Sequence, residues 1–275
     1  MNPTPAEWKP VEDAMGRKGQ LQGGVLKFGM PRSDLKVLVG GLQVKPTLAL
    51  GSWMAFDSPG NDSFMMGDLV LTENEVAPVM ASLRKGSIEV TALHNHILQE
   101  SPRVLYMHVF SHGDAATLAR KLRTALSLTG TPAPASMAQA EIALDIPAIE
   151  QLIGYQGKVN GGVLQVSIPR SEIIIEHGRK IPASMGIATA MNFQPAGDGR
   201  AAVTGDFVLL AEEVNPVIDA LTGNGIAVTA LHSHMLEEAP RLFFLHFWAV
   251  DDAVKLARAL RGALDKTNSV RAMPQ

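Results

Sequence analysis

Apolar side chains fall along this chain in two rhythms, and the rhythms change at matching places in its two halves. Residues 6–15 predict a short helix that runs into glycines. Alternating and continuous apolar runs then predict strands at 25–28, 35–39, 50–56 and 64–71. Val76, Val79, Met80 and Leu83 recur at helical spacing, which predicts a helix over 75–83. Strands at 88–96 and 104–111 follow. A last helix starts at Asp114, a residue suited to an N-cap, and ends at Leu126. Strands and helices come in blocks rather than in strict alternation. The expected class is therefore α+β, with mainly antiparallel sheets and flanking helices.

The whole unit occurs twice. "GGVLKFGMPRSD" from Gly23 matches "GGVLQVSIPRSE" from Gly161, an offset of 138. "GDLVL" at Gly67 matches "GDFVL" at Gly205, and Leu118, Leu122 and Leu126 match Leu256, Leu260 and Leu264. Between the copies, residues 127–140 are rich in Pro, Ala, Ser and Thr, as linkers are. Two lobes are expected, 1–130 and 140–275. With only two copies, a pseudo-twofold pair fits better than a solenoid.

Each copy carries the pattern L-H-x-H-x-x-x-E-x-P-R-x-x-x-x-H. It holds His94, His96, Glu100, Arg103 and His108 in the first lobe, and His232, His234, Glu238, Arg241 and His246 in the second. Six of the chain's 8 histidines lie in it. Between first and last histidine, the copies agree at the histidines, Leu98/Leu236, the glutamate and the Pro-Arg pair, and differ elsewhere. Divergence was tolerated around the imidazoles and not at them.

On a strand, residues i and i+2 share a face, so His94 and His96 project side by side about 6–7 Å apart. A hairpin centred near Ser101 places His108 directly across from His94, within about 4.5–5.5 Å at Cβ. Three imidazoles per lobe, with Glu100 or Glu238 folding back from the turn, form a set suited to a divalent transition metal at about 2.0–2.2 Å. Zinc is favoured, with iron, manganese and nickel as alternatives. The glutamates are read either as ligands or as bases that activate a metal-bound water. Arg103 and Arg241 orient the glutamate, hold an anionic substrate, or brace the turn. The competing reading is a structural network in which hydrogen bonds hold the imidazoles.

Other repeated residues receive plainer readings. Arg32 and Arg170 pair with neighbouring carboxylates. Asp68 and Asp206, in the repeated "GD", are turn residues. His112 and His177 have no counterpart in the other lobe and stay outside the sites.

Composition narrows the function classes. The 275 residues are 46% apolar and 19% charged, enough for a sizeable core, and the net charge of -3 gives no general field for nucleic acid or anionic membrane. There are no cysteines, which removes thiolate catalysis and iron–sulfur ligation and leaves histidine and carboxylate as the metal ligands. No apolar run approaches the roughly 18 residues of a membrane span. The start lacks a basic-then-apolar signal pattern, so the chain is either cytoplasmic or a mature form whose leader was removed.

Two resemblances bear on this reading. H-x-H-x-x-x-E is similar to the first cupin motif, which implies a bicupin-like pair of β-barrels as the alternative fold. In cupins, however, the last histidine comes from a more distant strand. The doubled "LHNHILQESPR…H" and "LHSHMLEEAPR…H", with the repeated "GGVL…PRS", resemble the bacterial family that includes the mycobacterial LppY and LpqO lipoproteins, a domain of unknown function. That resemblance covers nearly the whole chain and implies an exported, periplasmic or cell-envelope setting. No reaction comes with it.

The expected function is that of a metal-dependent hydrolase or lyase acting on a small molecule or peptide. A non-catalytic protein that stores, senses or binds metal is the alternative.

Overall fold

The computed structural model describes residues 4–134 and 141–270; part of the expected linker, 135–140, lies outside them. Each half folds as an open six-stranded antiparallel sheet with helices on one face. In the first lobe α1 (Lys9–Met15) precedes β1 (Gln20–Gln22), β2 (Val25–Pro31), β3 (Gly51–Phe56) and β4 (Ser63–Thr72). Then come α2 (Glu73–Lys85), β5 (Glu89–His94), β6 (Val104–Gly113) and α3 (Ala115–Leu126). The second lobe repeats this as α4 (Ile146–Ile153), β7 (Gly157–Asn160), β8 (Val163–Pro169), β9 (Ala188–Gly197) and β10 (Arg200–Leu209). It ends with α5 (Ala211–Thr222), β11 (Ala227–His232), β12 (Phe243–Asp252) and α6 (Ala253–Leu264). The sheet orders are β1-β2-β3-β4-β6-β5 and β7-β8-β9-β10-β12-β11.

The α+β class with antiparallel sheets holds. Both sheets are open among the described residues, so the bicupin-like barrels are set aside. The reason is that helices cover one face of each sheet, which leaves no need for the sheet to close upon itself. The predicted strand at 35–39 shrinks to Leu38–Val39, because this stretch belongs to an irregular arm.

Strand alternation sorts the core into layers. From β6, Met107 and Val109 point to the helices, where they pack with Leu69 and Leu71 of β4, Val79 and Leu83 of α2, and Leu118 and Leu122 of α3. The second lobe repeats this with Leu245, Phe247, Phe207, Val217, Leu221 and Leu260. Tyr106 and Phe110 take the opposite face, which meets the other lobe. Burial on both faces explains why "SFMMGDLVL" reads as one almost unbroken apolar run, since no position in it faces water.

The lobes exchange arms. Residues 33–50 place Val37, Val44, Leu48 and Leu50 in a cluster with Val163 and Ala202 of the second sheet. Backbone groups of this arm are bonded from across: Asn192 and Gln194 donate to the Leu48 and Gln43 carbonyls at 3.2 and 2.8 Å. In return, Ile174, Ile181, Met185 and Ile187 pack with Val25, Ala55, Phe64, Met66 and Phe110 of the first sheet. Arg179 reaches across to Asp57 at 2.9 Å.

A buried guanidinium ties each helix layer to its sheet. Arg170 donates to Val208 O at 2.6 Å and to Glu213 at 2.6 and 3.1 Å. Glu213 also accepts from the backbone N–H of Leu210, which caps α5, and from Asn268. Arg32 makes the matching set with Asp34, Glu75 and Val70 O. The expectation that these arginines pair with carboxylates is met. Removing Glu213 leaves the buried Arg170 with Glu172 as its one carboxylate, at 2.9 Å, and orphans the Leu210 and Asn268 N–H groups; together these cost up to about 3–5 kcal/mol. Glu213→Ala is therefore expected to lower the urea-unfolding free energy by that order, whereas Glu212→Ala, on the exposed side of the same helix turn, should change it by less than about 0.5 kcal/mol.

Candidate metal centre

The seam between the two sheets is where the histidines lie. On β6, His108 sits between Tyr106 and Phe110 on the seam face, and on β12 His246 sits between Phe244 and Trp248. His94 ends β5 and His232 ends β11. These two strands approach each other across the lobe boundary, where Asn95 donates to Thr229 O at 3.1 Å and the Thr229 hydroxyl donates to His96 O at 2.5 Å.

All six imidazoles of the repeated motif meet there. Ring centroids are 3.6 Å apart for His94 and His232, 3.8 Å for His96 and His246, and 3.6 Å for His108 and His234. Under the 138-residue offset the last two pairs are the same contact seen from either lobe. Within a lobe the rings stand farther apart, at 5.0 Å for His94 with His96 and with His108. Tyr106 stacks on His96 and Phe244 on His234, each at 3.4 Å, closing two sides of the cluster with aromatic faces.

This corrects the expectation of one independent three-histidine site per lobe. The rings lie on the sheet face that meets the partner lobe, so they are shared across the seam. The hairpin register also differs. His94 pairs with Tyr106 and His108 with Ala92, so His94 and His108 are diagonal neighbours rather than opposite residues. A bulge between Val90 and Ala92 accompanies this register.

The carboxylates that join the imidazoles are Asp68 and Asp206. Asp68 lies directly across from His108 in the β4–β6 ladder, and Asp206 across from His246 in β10–β12. Reading the "GD" pair as a turn is therefore corrected: both aspartates sit inside ten-residue strands. Period-two alternation runs straight through the glycine, putting Asp68 on the face of Met66 and Val70, and that was the available signal. The glycine serves close approach. A Cβ on Gly205 would stand 1.9 Å from Ala190 O, and one on Gly67 would stand 2.4 Å from Trp53 O.

Glu100 and Glu238 do not join the ligand groups that converge in the seam. Glu100 lies in a two-residue strand paired with Val39, and Glu238 accepts from Leu242 N at 2.9 Å and Arg241 at 3.2 Å. Arg241 also donates to Met235 O and Leu236 O, so it braces its turn. Arg103 is exposed and 4.0 Å from Glu73. The pull of the H-x-H-x-x-x-E spacing misdirected the choice of carboxylate, because the strand ends before the glutamate.

Four overlapping groups bring three or four ligand atoms within 4.8 Å of one another: Asp68 with His96 and His108; Asp206 with His234 and His246; His94 with His96 and His246; and His94 with His108, His232 and His234. Asp68 Oδ2 is 3.7 Å from His96 Nε2 and 3.8 Å from His108 Nε2, too far for hydrogen bonds. The Nε2 atoms of all six imidazoles and one oxygen of each aspartate are buried without a hydrogen-bond partner. His246 Nδ1 lies 3.0 Å from Gly205 O, so that nitrogen carries the proton and Nε2 presents its lone pair inward.

Burial dominates the electrostatics. Desolvation holds the His94 pKa down at about 4, His246 at about 3 and His232 at about 2, the last also through its charged-state repulsion with His94 and His246. His96, His108 and His234 are pushed well below the ordinary imidazole value by the same burial and by one another. Asp68 is raised to about 8 by burial, and Asp206 is raised well above the usual carboxylate range by burial and by Asp68.

The metal-free protein should accordingly have a stability optimum near neutral pH. The depressed histidines contribute stability that is present above about 6.5 and lost as pH falls, since the unfolded chain takes up protons that the folded one refuses. The raised aspartates act oppositely, and their contribution is lost as pH rises toward about 8. Six histidines outweigh two aspartates on the acid side, at about 1.4 kcal/mol per pH unit for each net proton. Urea midpoints of chelator-treated protein measured from pH 5 to 8.5 check this; a midpoint that is flat or rises below pH 6.5 contradicts it.

No curated protein matches the chain. Two solved structures align over most of its length: the trimeric bacterial microcompartment shell protein PduB and EtuB from Clostridium kluyveri. The first is 12% identical with a TM-score of 0.24, covering 92% of this chain and 95% of its own. The second is 11% identical with a TM-score of 0.23, covering 99% and 100%. Superposition that poor carries no argument about architecture or role. The family described as Domain of Unknown Function (DUF1259) matches twice, over residues 9–128 and 147–266, and those two spans take in every histidine of the seam. The chain belongs to that family, as a tandem duplication of its domain.

Proposed function

We propose that this protein binds divalent transition metal in the seam between its lobes, through His94, His96, His108, His232, His234, His246, Asp68 and Asp206. One observation carries the reading: the Nε2 atoms of six imidazoles and an oxygen of Asp68 are buried together without a hydrogen-bond partner, and Asp206 Oδ1 has His246 Nδ1 at 3.1 Å as its one close polar neighbour. Leaving a buried polar group unpaired costs about 1–3 kcal/mol, so seven of them rival the whole stability of a domain, about 5–15 kcal/mol. Converging acceptor lone pairs repel one another, and a cation is the partner they can all share.

The donor set fits. Two ligands bound at about 2.0–2.2 Å in tetrahedral array lie roughly 3.3–3.6 Å apart, close to the spacing of Asp68 with His96 and His108. Imidazole and carboxylate without thiolate suit zinc, with iron, manganese and nickel as alternatives. Asp68 with His96 and His108 would hold one ion, and Asp206 with His234 and His246 a second. His94 and His232 would complete both from the join, in a pseudo-twofold arrangement. An ion bound there would supply Lewis acidity, while the chain's own contribution is to fix the imidazoles and exclude water.

Of the two functional readings, storage, sensing or structural binding is the better supported. A catalytic ion needs an open position beside a substrate cavity, and such cavities measure about 300–1,000 Å³. The space beside His108 and His234, walled by Trp53, Met185 and Ile187, is about 10 Å³. Turnover as a hydrolase or lyase would require the arm carrying Met185 to lift. The resemblance to mycobacterial lipoproteins would place this binding in the cell envelope.

Protein purified without a nickel column is expected to carry about two transition-metal ions per chain, measured by mass spectrometry of the elements. Zinc at about 100 times its Kd should stabilise the stripped protein by about 2.7 kcal/mol. Asp68→Asn and Asp206→Asn should each lower the metal content, whereas Glu100→Gln should leave it intact. Absence of metal, with no stabilisation by zinc, iron, manganese or nickel, overturns the reading.

A further inference from the structure

We propose that the second lobe binds a further divalent transition-metal ion outside the seam, at the hairpin of its arm, through Glu176, His177 and Glu237. The hairpin pairs Glu176 with Arg179 around a turn made by His177 and Gly178. Ile175 and Ala239 exchange backbone hydrogen bonds at 2.9 and 2.8 Å, which brings Glu176 beside Glu238 on the neighbouring segment. Both carboxylates are buried, Glu176 being 2% exposed. Glu238 is satisfied by Arg241 and the Leu242 N–H. Glu176 is not: its Oε2 is buried without a hydrogen-bond partner, and its Oε1 lies 3.7 Å from His177 Nδ1. That same nitrogen is 3.3 Å from Glu237 Oε2. Arg179, across the hairpin, turns away to Asp57 and the Asp62 carbonyl and lies over the Phe64 ring. Burial pushes the Glu176 pKa up, as do Glu238 and Glu237, against the opposing pull of His177 and the Glu237 N–H.

The first lobe has the same hairpin without these side chains. Gly40 and Gly41 turn there with φ of 55° and 84°, where His177 and Gly178 have 48° and 76°. Val39 lies across from Glu100 and pairs with Leu42 in the hairpin, so Val39, Gly40 and Gln99 stand where the second lobe has Glu176, His177 and Glu237. Three ligand-type residues, drawn from two separate segments, have been gained at one place. Two of them add negative charge, and the one cation gained with them, Arg179 for Leu42, is engaged by Asp57. A left-handed backbone suits glycine and strains histidine, so the imidazole occupies its turn at a conformational cost. Imidazole nitrogen with carboxylate oxygens favours zinc or manganese over calcium, which takes oxygen ligands. The 3.3 and 3.7 Å spacings are close to the roughly 3.3–3.6 Å between two ligands of one such ion. Glu176 supplies the buried end, and Glu237, 69% exposed, has room to turn its carboxylate onto the ion. Protonating Glu176 would discharge it and still leave Oε2 unbonded, whereas an ion held by both oxygens answers each need.

Calorimetric titration of the full-length, chelator-stripped protein with zinc alone tests this. One zinc per chain is expected beyond those taken by the seam. His177→Gly and Glu176→Val, which copy the first lobe, should each weaken that zinc at least tenfold. Both use residues that the matching hairpin already accommodates, and a thermal melt without metal confirms their fold. Glu237→Gln, at an exposed position, should give the same loss without touching the buried part of the hairpin. The seam is read separately: Asp68→Asn with Asp206→Asn should lower its metal uptake and leave the hairpin's zinc in place. A seam that takes no metal, beside one zinc per chain that is lost in His177→Gly, overturns the seam reading and keeps this one. Zinc uptake unchanged in His177→Gly or in Glu176→Val overturns the hairpin site, as does displacement of its zinc by an equal concentration of calcium.

Discussion

Six imidazoles and two aspartates gathered in the seam between the sheets are the constraint to which the rest of the molecule answers. Burial and mutual repulsion keep its imidazoles from taking up protons. The fold holds it shut by burying apolar surface around it. Aromatic faces close two sides, and each lobe's arm lies across the other's sheet. The ion proposed above would tie the lobes together there, through imidazole nitrogens drawn from both.

The strands deliver this geometry with economy of means. Alternation along β4, β6, β10 and β12 sends one set of side chains to the helices and the other to the seam, so a single register decides both hydrophobic packing and ligand placement. The glycine preceding each aspartate lets the neighbouring strand approach where any Cβ would collide. Glycine and aspartate act as one unit, the first permitting close contact and the second filling the space beside the imidazole.

Much of this was legible in the residues. Apolar rhythm located the principal helices and strands to within a few positions, since amphipathic periods report directly on which face is buried. Duplication and the six histidines were visible because the copies diverged around those residues and not at them. What stayed hidden was anything set by the meeting of the two halves. His108 was expected opposite His94, but the bulge in β5 sets the pairing of residues 94 with 106, which a hairpin count alone does not give. Asp68 was read locally as a turn residue because Gly-Asp usually is one; only pairing with a strand about 40 residues onward reveals its role. Glu100 looked like a ligand because sequence nearness stood in for spatial nearness. Arg103 and Arg241 followed the same glutamates into the turn, and neither reaches the seam.

The arm exchange bears on why the domain occurs twice in one chain. A single copy bears both an arm and the sheet face that an identical arm would cover, so neither half is self-sufficient. Joined by a short tether, each half meets the other at an effective concentration of the order of millimolar, however dilute the protein. Two separate halves would drift apart on dilution and release whatever they held between them. The covalent duplication makes the closed seam a property of one molecule, independent of how many copies surround it.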